Sequence, residues 1–374
     1  MQNVLIFFGG VAPEHDISVI TGVLTANALD KGLYKVIPVY IHNDGVMYYS
    51  EQLLNLDFYK KTDLSKCCRV TLLSGDNKIY TVKKKRIVIL CEAHCAINCL
   101  HGNGGEDGTL CGLLKNTGIP LASPDIFASA LAIDKHFTKI ALKSTGVRYA
   151  EYMRIKRDGF FQRRESVCRM IIKKIGLPII VKPATLGSSI GIKRVDNENE
   201  LFTALCEALN YDSKAICEKY IENALEINCA AYSVDGKITV SELEKPFSSH
   251  DILTFEDKYG GYKSGTGNKE FPAVLPEEIC NIVKDTVKKV YSEFDFNGIV
   301  RFDFLIAEKT VYLNEINAVP GSLAYYLFCK TVSEFSELLS ELIKDAQKRK
   351  REEERLIGYF QSDILSGNWQ PIKK

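Results

Sequence analysis

Asp303, Glu315 and Asn317 are the residues whose types and spacing speak first for chemistry. Across residues 298–306, strand alternation puts Val300, Phe302, Phe304 and Ile306 on a core face and leaves Arg301 and Asp303 on the other. A returning strand would set Leu313, Glu315 and Asn317 on one face. A short connection around residues 307–310 would then bring Asp303 close to Glu315. Carboxylate and amide oxygens gathered this way suit Mg2+, a hard cation that shares its shell with phosphates. The competing reading is a merely solvated polar face. It fits poorly with Glu-x-Asn running straight into Val319-Pro320-Gly321.

A second candidate is Thr185-Leu186-Gly187-Ser188-Ser189-Ile190-Gly191, which follows the apolar run ending Val181-Lys182-Pro183. Glycines let backbone amides approach a phosphate, and the two serines add hydroxyl donors. Here the lysine precedes the loop, so the P-loop order is absent, and neither end of the chain shows Gly-x-Gly-x-x-Gly. Taken alone, this loop could be a plain turn. Glu218-Lys219-Tyr220-Ile221, with Glu226 beyond, says less still. Cys91, His94, Cys95, Cys99 and His101 look at first like metal ligands, but they lack Cys-x-x-Cys spacing and read as buried thiols.

The elements that must hold these groups come from 374 residues, enough for two or three domains. A hydrophobic share of 46% and a charged share of 25% exclude a collagenous or largely disordered chain. Lys+Arg 48 against Asp+Glu 47 gives a net charge of +1, which offers no global field for nucleic acid or anionic lipid. No apolar stretch approaches the roughly 20 residues of a membrane span. The run at residues 4–8 is too short for a signal-peptide core. Twelve cysteines in such a chain predict reduced thiols in a cytoplasm.

The pattern predicts strands at residues 4–8 and 34–41, a helix through Ile17, Val23 and Ala28, and further apolar runs at 86–90 and 95–100. Strand–helix alternation of this kind predicts a parallel sheet covered by helices. A break is expected at residues 121–124, with Ser123 capping a helix that starts at Pro124. Beyond it lie a basic helix at 163–175, strands at 179–183 and 190–195, and a helix capped by Asp196. From residue 215 the pattern turns antiparallel, with a strand at 216–221 and a hairpin at Asp235-Gly236. Residues 247–271 are polar, glycine-rich and aperiodic, the mark of a loop that is either functional or disordered. A charged helix is expected from about Val332.

In chain order, several segments resemble signatures of the D-alanine–D-alanine ligase family. They are Gly9-Gly10 leading to Glu14-His15-Asp16-Ile17-Ser18, His101-Gly102-Asn103-Gly104-Gly105-Glu106-Asp107-Gly108-Thr109, Val181-Lys182-Pro183 with Gly187-Ser188-Ser189, Lys258-Tyr259, Arg301-x-Asp303, and Asn314-Glu315-Ile316-Asn317. The resemblance spans about residues 4–321. It implies the ATP-grasp fold, with nucleotide held between two sheets after an N-terminal doubly wound domain. The expected divisions are a Rossmann-like domain at 1–122, a central ATP-grasp lobe at 123–214, a C-terminal lobe at 215–346 and a charged helical tail at 347–374.

The resemblance also implies roles, position by position. Lys135 and Lys182 would pair with the ATP phosphates, Gly187, Ser188 and Ser189 would cover them, and Lys258 would join them from the loop. The backbone of Glu218, Lys219, Tyr220 and Ile221 would read adenine, and Glu226 the ribose. Asp303, Glu315 and Asn317 would hold two Mg2+ (or Mn2+). Glu14 would anchor the ammonium of the first D-alanine, with His101 beside the substrate and Tyr259 closing over Ser188. Arg301 and the amide of Gly321 would stabilise the tetrahedral oxyanion. The implied activity is ATP-dependent ligation of two D-alanines through a D-alanyl phosphate, for peptidoglycan precursor synthesis, by a cytoplasmic homodimer with small-molecule substrates and no nucleic-acid or membrane partner.

Two positions depart from the family pattern. Cys111 replaces a usual glutamine, and Tyr325-Tyr326 stand where His-Ser is usual, so that either Tyr326 holds the acceptor carboxylate or the tyrosines pack in the core and another residue, such as Ser322, supplies the donor. Competing readings are a ligase joining D-alanine to D-serine or making another dipeptide, and a nucleotide-binding protein without catalysis. Intact Glu14, Arg301, Asp303, Glu315 and Asn317 argue against the last.

Overall fold

The structure, a computed structural model, describes residues 1–84, 86–246, 269–360 and 362. The N-terminal domain contains β1 (Gln2–Gly9), α1 (His15–Ala28), β2 (Tyr34–Ile41), β3 (Met47–Tyr49), β4 (Cys68–Leu73), β5 (Asp76–Lys83), β6 (Arg86–Glu92), β7 (Cys95–Asn98) and α2 (Thr109–Thr117). Val4, Leu5, Ile6, Phe7 and Phe8 are all inaccessible to solvent. A strand apolar at every position must be covered on both faces. β1 accordingly runs parallel between β2 and β7 at the core of a sheet ordered β6-β5-β4-β3-β2-β1-β7. From β2 outward to β6 the pairing is antiparallel. The parallel sheet expected from the alternation is therefore three strands at one end of the sheet, with an antiparallel extension.

The next sheet is built from α3 (Ile126–Ile133), α4 (Lys135–Thr145), β8 (Tyr152–Lys156), α5 (Arg157–Gln162), α6 (Arg164–Ile175), β9 (Ile179–Pro183), β10 (Lys193–Val195), α7 (Glu198–Tyr211) and β11 (Lys214–Lys219). Its order is β10-β9-β11-β8, and Ile171 of α6 and Leu205 of α7 pack against it. The caps differ from expectation by one or two residues. Asp125 rather than Ser123 caps α3, accepting from the Ala128 amide at 3.2 Å, while the Ser123 hydroxyl accepts from the Asn98 amide at 3.1 Å. Asn197 rather than Asp196 caps α7, accepting from the Glu200 amide at 3.0 Å.

The last lobe contains β12 (Leu225–Val234), β13 (Lys237–Val240), β14 (Lys245–Pro246), β15 (Lys269–Glu270), α8 (Glu277–Glu293), β16 (Val300–Ala307), β17 (Thr310–Asn317) and α9 (Val332–Glu353). The sheet β13-β12-β16-β17 buries Phe302 and Phe304 under Val283, Val287 and Val290 of α8. Two expected boundaries move. The division at 214/215 cuts β11, which pairs with β8 and β9 and belongs wholly to the middle sheet. The helix expected to change character at 347 runs unbroken to Glu353. β14 pairs with β15. Between them lie residues 247–268, with Lys258 and Tyr259, outside the described residues.

Candidate active site

The β16–β17 hairpin does bring Asp303 opposite Glu315 and Arg301 opposite Asn317. It reaches that pairing by a route the alternation hides. Phe304 faces Leu313, so Asn314 is an extra residue, and the bulge flips the strand below it. Leu313, expected on the polar face, is instead buried with Phe302 and Phe304. The displaced Asn314 accepts from Lys182 Nζ at 3.1 Å, a link between the middle and last sheets that the sequence pattern does not show.

Asp303 is almost fully buried and accepts two hydrogen bonds from Arg301, from Nε at 2.7 Å and from a terminal nitrogen at 2.9 Å. The Asn317 amide donates to Asp303 at 3.0 Å. The ammonium of Lys135 lies 3.8 Å from Glu315 and donates to the Leu186 carbonyl at 2.6 Å. Among the described residues no three His, Cys, Asp or Glu side chains gather as a metal site. A cation here would have two carboxylates and the Asn317 carbonyl, which fits Mg2+ provided phosphates complete its shell.

One cavity gathers most of the predicted substrate residues: Glu14, His101, Gly187, Ser188, Arg301, Glu315, Asn317 and Gly321 line it, with Glu106 added. Glu14 sits just before α1 and is 3% exposed. Burial raises its carboxyl pKa, an effect that the Gly187 amide and Lys135 only partly offset. Among the described residues its Oε2 has no hydrogen-bond partner. A side chain at Gly102 would meet that oxygen at 2.8 Å, and one at Gly187 would meet Oε1 at 3.3 Å, so both glycines leave it room. An unpartnered buried carboxylate oxygen is costly, and an ammonium would satisfy it.

Lys182 and Glu218 form a second cluster. Glu218 was expected to act through its backbone, yet its carboxylate is buried between Lys139 Nζ at 2.9 Å and Lys182 Nζ at 2.7 Å. Burial alone would raise its pKa, but the two ammonium groups outweigh it and bring it to about 2. Lys139 was missed. Its signal was a lysine in the buried stripe of α4 with Lys135, Thr138 and Leu142. The amides of Lys219 and Tyr220 donate to the Glu151 and Pro178 carbonyls, so the adenine reading cannot use them as donors. Ile221 lies past the end of β11, and Glu226 is half-buried on β12 opposite Leu305. Because the pKa of Glu218 is lowered from 4.5 to about 2, its share of stability is present above pH 4.5 and lost as pH falls toward 2. Unfolding free energy should decline over that window in the native protein and more shallowly in Glu218→Gln, measured by denaturant melts.

Burial pushes the Cys95 and Cys99 thiols up to about 12, as expected of packed cysteines rather than ligands. Cys111 is buried against the Pro124 carbonyl at 3.3 Å. Both tyrosines after Gly321 pack against the core that α1 and α9 share, and neither is among the residues that line the cavity. Tyr325 stacks on Phe335 with centroids 4.6 Å apart and belongs to the core. Tyr326 has polar neighbours as well: its hydroxyl lies 3.5 Å from Glu244, Lys269 sits over its ring at 3.8 Å, and Arg301 is among its charged neighbours. A wider groove around Phe161, Arg164 and Phe202 contains none of the predicted residues.

The sequence models described as D-ala D-ala ligase N-terminus and D-ala D-ala ligase C-terminus match residues 3–124 and 141–345. A D-alanine--D-alanine ligase of Thermosipho melanesiensis is 36% identical, over 93% of this chain and 94% of that protein. One from Chloroherpeton thalassium is 33% identical, over 93% and 97%. The crystal structure of D-alanine-D-alanine ligase from Helicobacter pylori superposes with a TM-score of 0.77 at 27% identity, covering 92% of this chain and 98% of that one.

Proposed function

The chain belongs to the D-alanine–D-alanine ligase family, an ATP-grasp family of ATP-dependent ligases, and from that premise we propose how its residues divide the work of joining two D-alanines for peptidoglycan synthesis. The observation that carries the assignment is the buried, unpartnered Oε2 of Glu14 beside Gly187, Arg301 and Glu315. It suits the ammonium of the first D-alanine. Lys135 and Lys182 take the ATP phosphates as point charges, under the amides and hydroxyls of Gly187, Ser188 and Ser189. Lys182 leaves Glu218 to do so, and Lys139 stays to neutralise that carboxylate.

A carboxylate oxygen of the first D-alanine attacks the γ-phosphorus, and ADP leaves. The amine of the second D-alanine, as the free base, attacks the acyl carbon; phosphate leaves with the oxygen that attacked and with the proton that the nitrogen gives up. Arg301 and the Gly321 amide receive the oxyanion between those events. Asp303, Glu315 and Asn317 would hold two Mg2+ or Mn2+, which neutralise phosphate charge when bound. In this proposal Glu226 takes the ribose and the segment 218–221 borders adenine; Lys258 and Tyr259 lie outside the described residues. We place the enzyme in the cytoplasm as a homodimer without nucleic-acid or membrane partners. None of the described helices is long and apolar enough to cross a membrane. The test is ADP release, which should require D-alanine; D-alanine-independent release, or none, would defeat the proposal.

The position of Tyr326 beside Arg301 and Glu244 favours its reading as an acceptor-site residue. Tyr326→Phe should raise the KM for the acceptor D-alanine by about 2-fold to 150-fold, from roughly 0.5–3 kcal/mol for a lost hydrogen bond to a charged group. First-site binding should change little. An unchanged acceptor KM would return Tyr326 to a packing role.

A further inference from the structure

The amides that flank Gly321 are both held by side chains from the N-terminal domain. The Val319 N–H donates to Glu106 Oε1 at 3.0 Å, and the Ser322 N–H donates to Thr21 Oγ1 at 2.9 Å. Each anchor is itself tied to the segment that follows β7. Glu106 Oε2 accepts from the Gly102 amide at 2.9 Å, and the Thr21 hydroxyl bonds His101 Nε2 at 3.1 Å. Thr21 is fully buried on α1. Burial also keeps the His101 imidazole neutral, its pKa lowered to about 4, so Nε2 can accept the threonine proton.

The backbone just after Gly321 has a reason to need such anchors. Ser322, Leu323 and Ala324 have φ of +52°, +50° and +46°, a left-handed run that side-chain-bearing residues resist. Such a run persists only where its surroundings fix it. Here the fixing points bracket Gly321 on both sides, and they come from another domain.

We propose that Thr21 and Glu106 are positioning residues for acyl transfer: they set the Gly321 amide at the reacting acyl carbon, so the N-terminal domain governs the geometry of the second chemical step. This rests on the reading that Gly321 and Arg301 receive the oxyanion. A preorganised donor stabilises developing charge only if it cannot relax away from it. Loss of either acceptor lets the Gly321 segment drift, and drift of about 1 Å costs on the order of a hundredfold in rate. Formation of the acyl phosphate uses the phosphate-side residues and needs no such donor.

Thr21→Val keeps the shape and removes the acceptor. Its dipeptide-forming kcat should fall by about 10-fold to 100-fold, with the KM for ATP unchanged. Exchange of labelled oxygen from the β,γ-bridge to the β-nonbridge position of ATP, driven by the first D-alanine, should keep its native rate. Thr21→Ser, which retains the hydroxyl, should restore ligation. Glu106→Gln leaves one oxygen for two amides and should lower the ligation kcat likewise, and Thr21→Ala, with the same split expected, covers the case where Thr21→Val fails to fold. Parallel loss of exchange and ligation, or ligation at the native rate in both variants, overturns the proposal. Arg301→Met separates it from the reading beneath: native ligation there defeats the oxyanion assignment itself, whereas slow ligation there with native rates in the other variants defeats only the positioning role.

Discussion

Glu315→Gln should abolish ATP turnover, with a loss of about a thousandfold or more, since charge neutralisation at a transferring phosphate is worth several kcal/mol and each tenfold is about 1.4 kcal/mol. Phosphoryl transfer leaves the protein little to do beyond positioning and neutralising charge, so removing one carboxylate from the two strikes at the main term. Glu315 lies on the polar face of β17 opposite Asp303, and its removal opens no core cavity. Asp303→Asn should be equally inactive but less stable, because Asp303 is also the bidentate partner of Arg301. ADP formation and thermal unfolding measured together separate the two effects. Near-native ADP formation by Glu315→Gln would show that the metal assignment is wrong.

Glu14→Gln should lower kcat/KM for the first D-alanine by about 30-fold to several thousandfold, the roughly 2–5 kcal/mol at stake when one partner of a buried charge pair is lost. The same change should leave stability equal or higher. Burial raises the Glu14 pKa, so its charged form opposes folding, and the cost grows as pH rises through the folded-state pKa. A glutamine carries no such cost. The combination of weaker substrate use and an undiminished melting temperature marks a residue kept for function. A lower melting temperature together with unchanged kcat/KM would make Glu14 structural.

Much of the fold was legible because local pattern and tertiary burial agree. The unbroken apolar run of β1 required two covered faces and has them. Alternation across residues 300–306 separated Phe302 and Phe304 from Arg301 and Asp303 as the strand does. Where one residue decides a face, the pattern failed. The extra Asn314 reverses Leu313, and period-two reasoning cannot count a bulge that only the partner strand defines. The ligand-facing motifs Gly187-Ser188 and His101 came through their likeness to the ligase family, since glycines and a lone histidine carry little meaning alone. Side chains that act across domains were illegible. Thr21 is one of several small polar residues on a buried helix, and its partner Ser322 lies 301 residues away. The Glu218 carboxylate likewise finds Lys139 on another element, where the charge count gives no hint of pairing.

The central claim is that this cavity activates the first D-alanine as an acyl phosphate. It is tested most directly with D-alanine labelled with 18O in its carboxylate, ATP and Mg2+, followed by mass analysis of the inorganic phosphate and the dipeptide. Each phosphate released should carry one 18O, in step with formation of D-alanyl-D-alanine, because the oxygen that attacks the γ-phosphorus leaves with it. Dipeptide formed with unlabelled phosphate would contradict the acyl phosphate route and, with it, the roles of Glu14, Arg301 and Gly321.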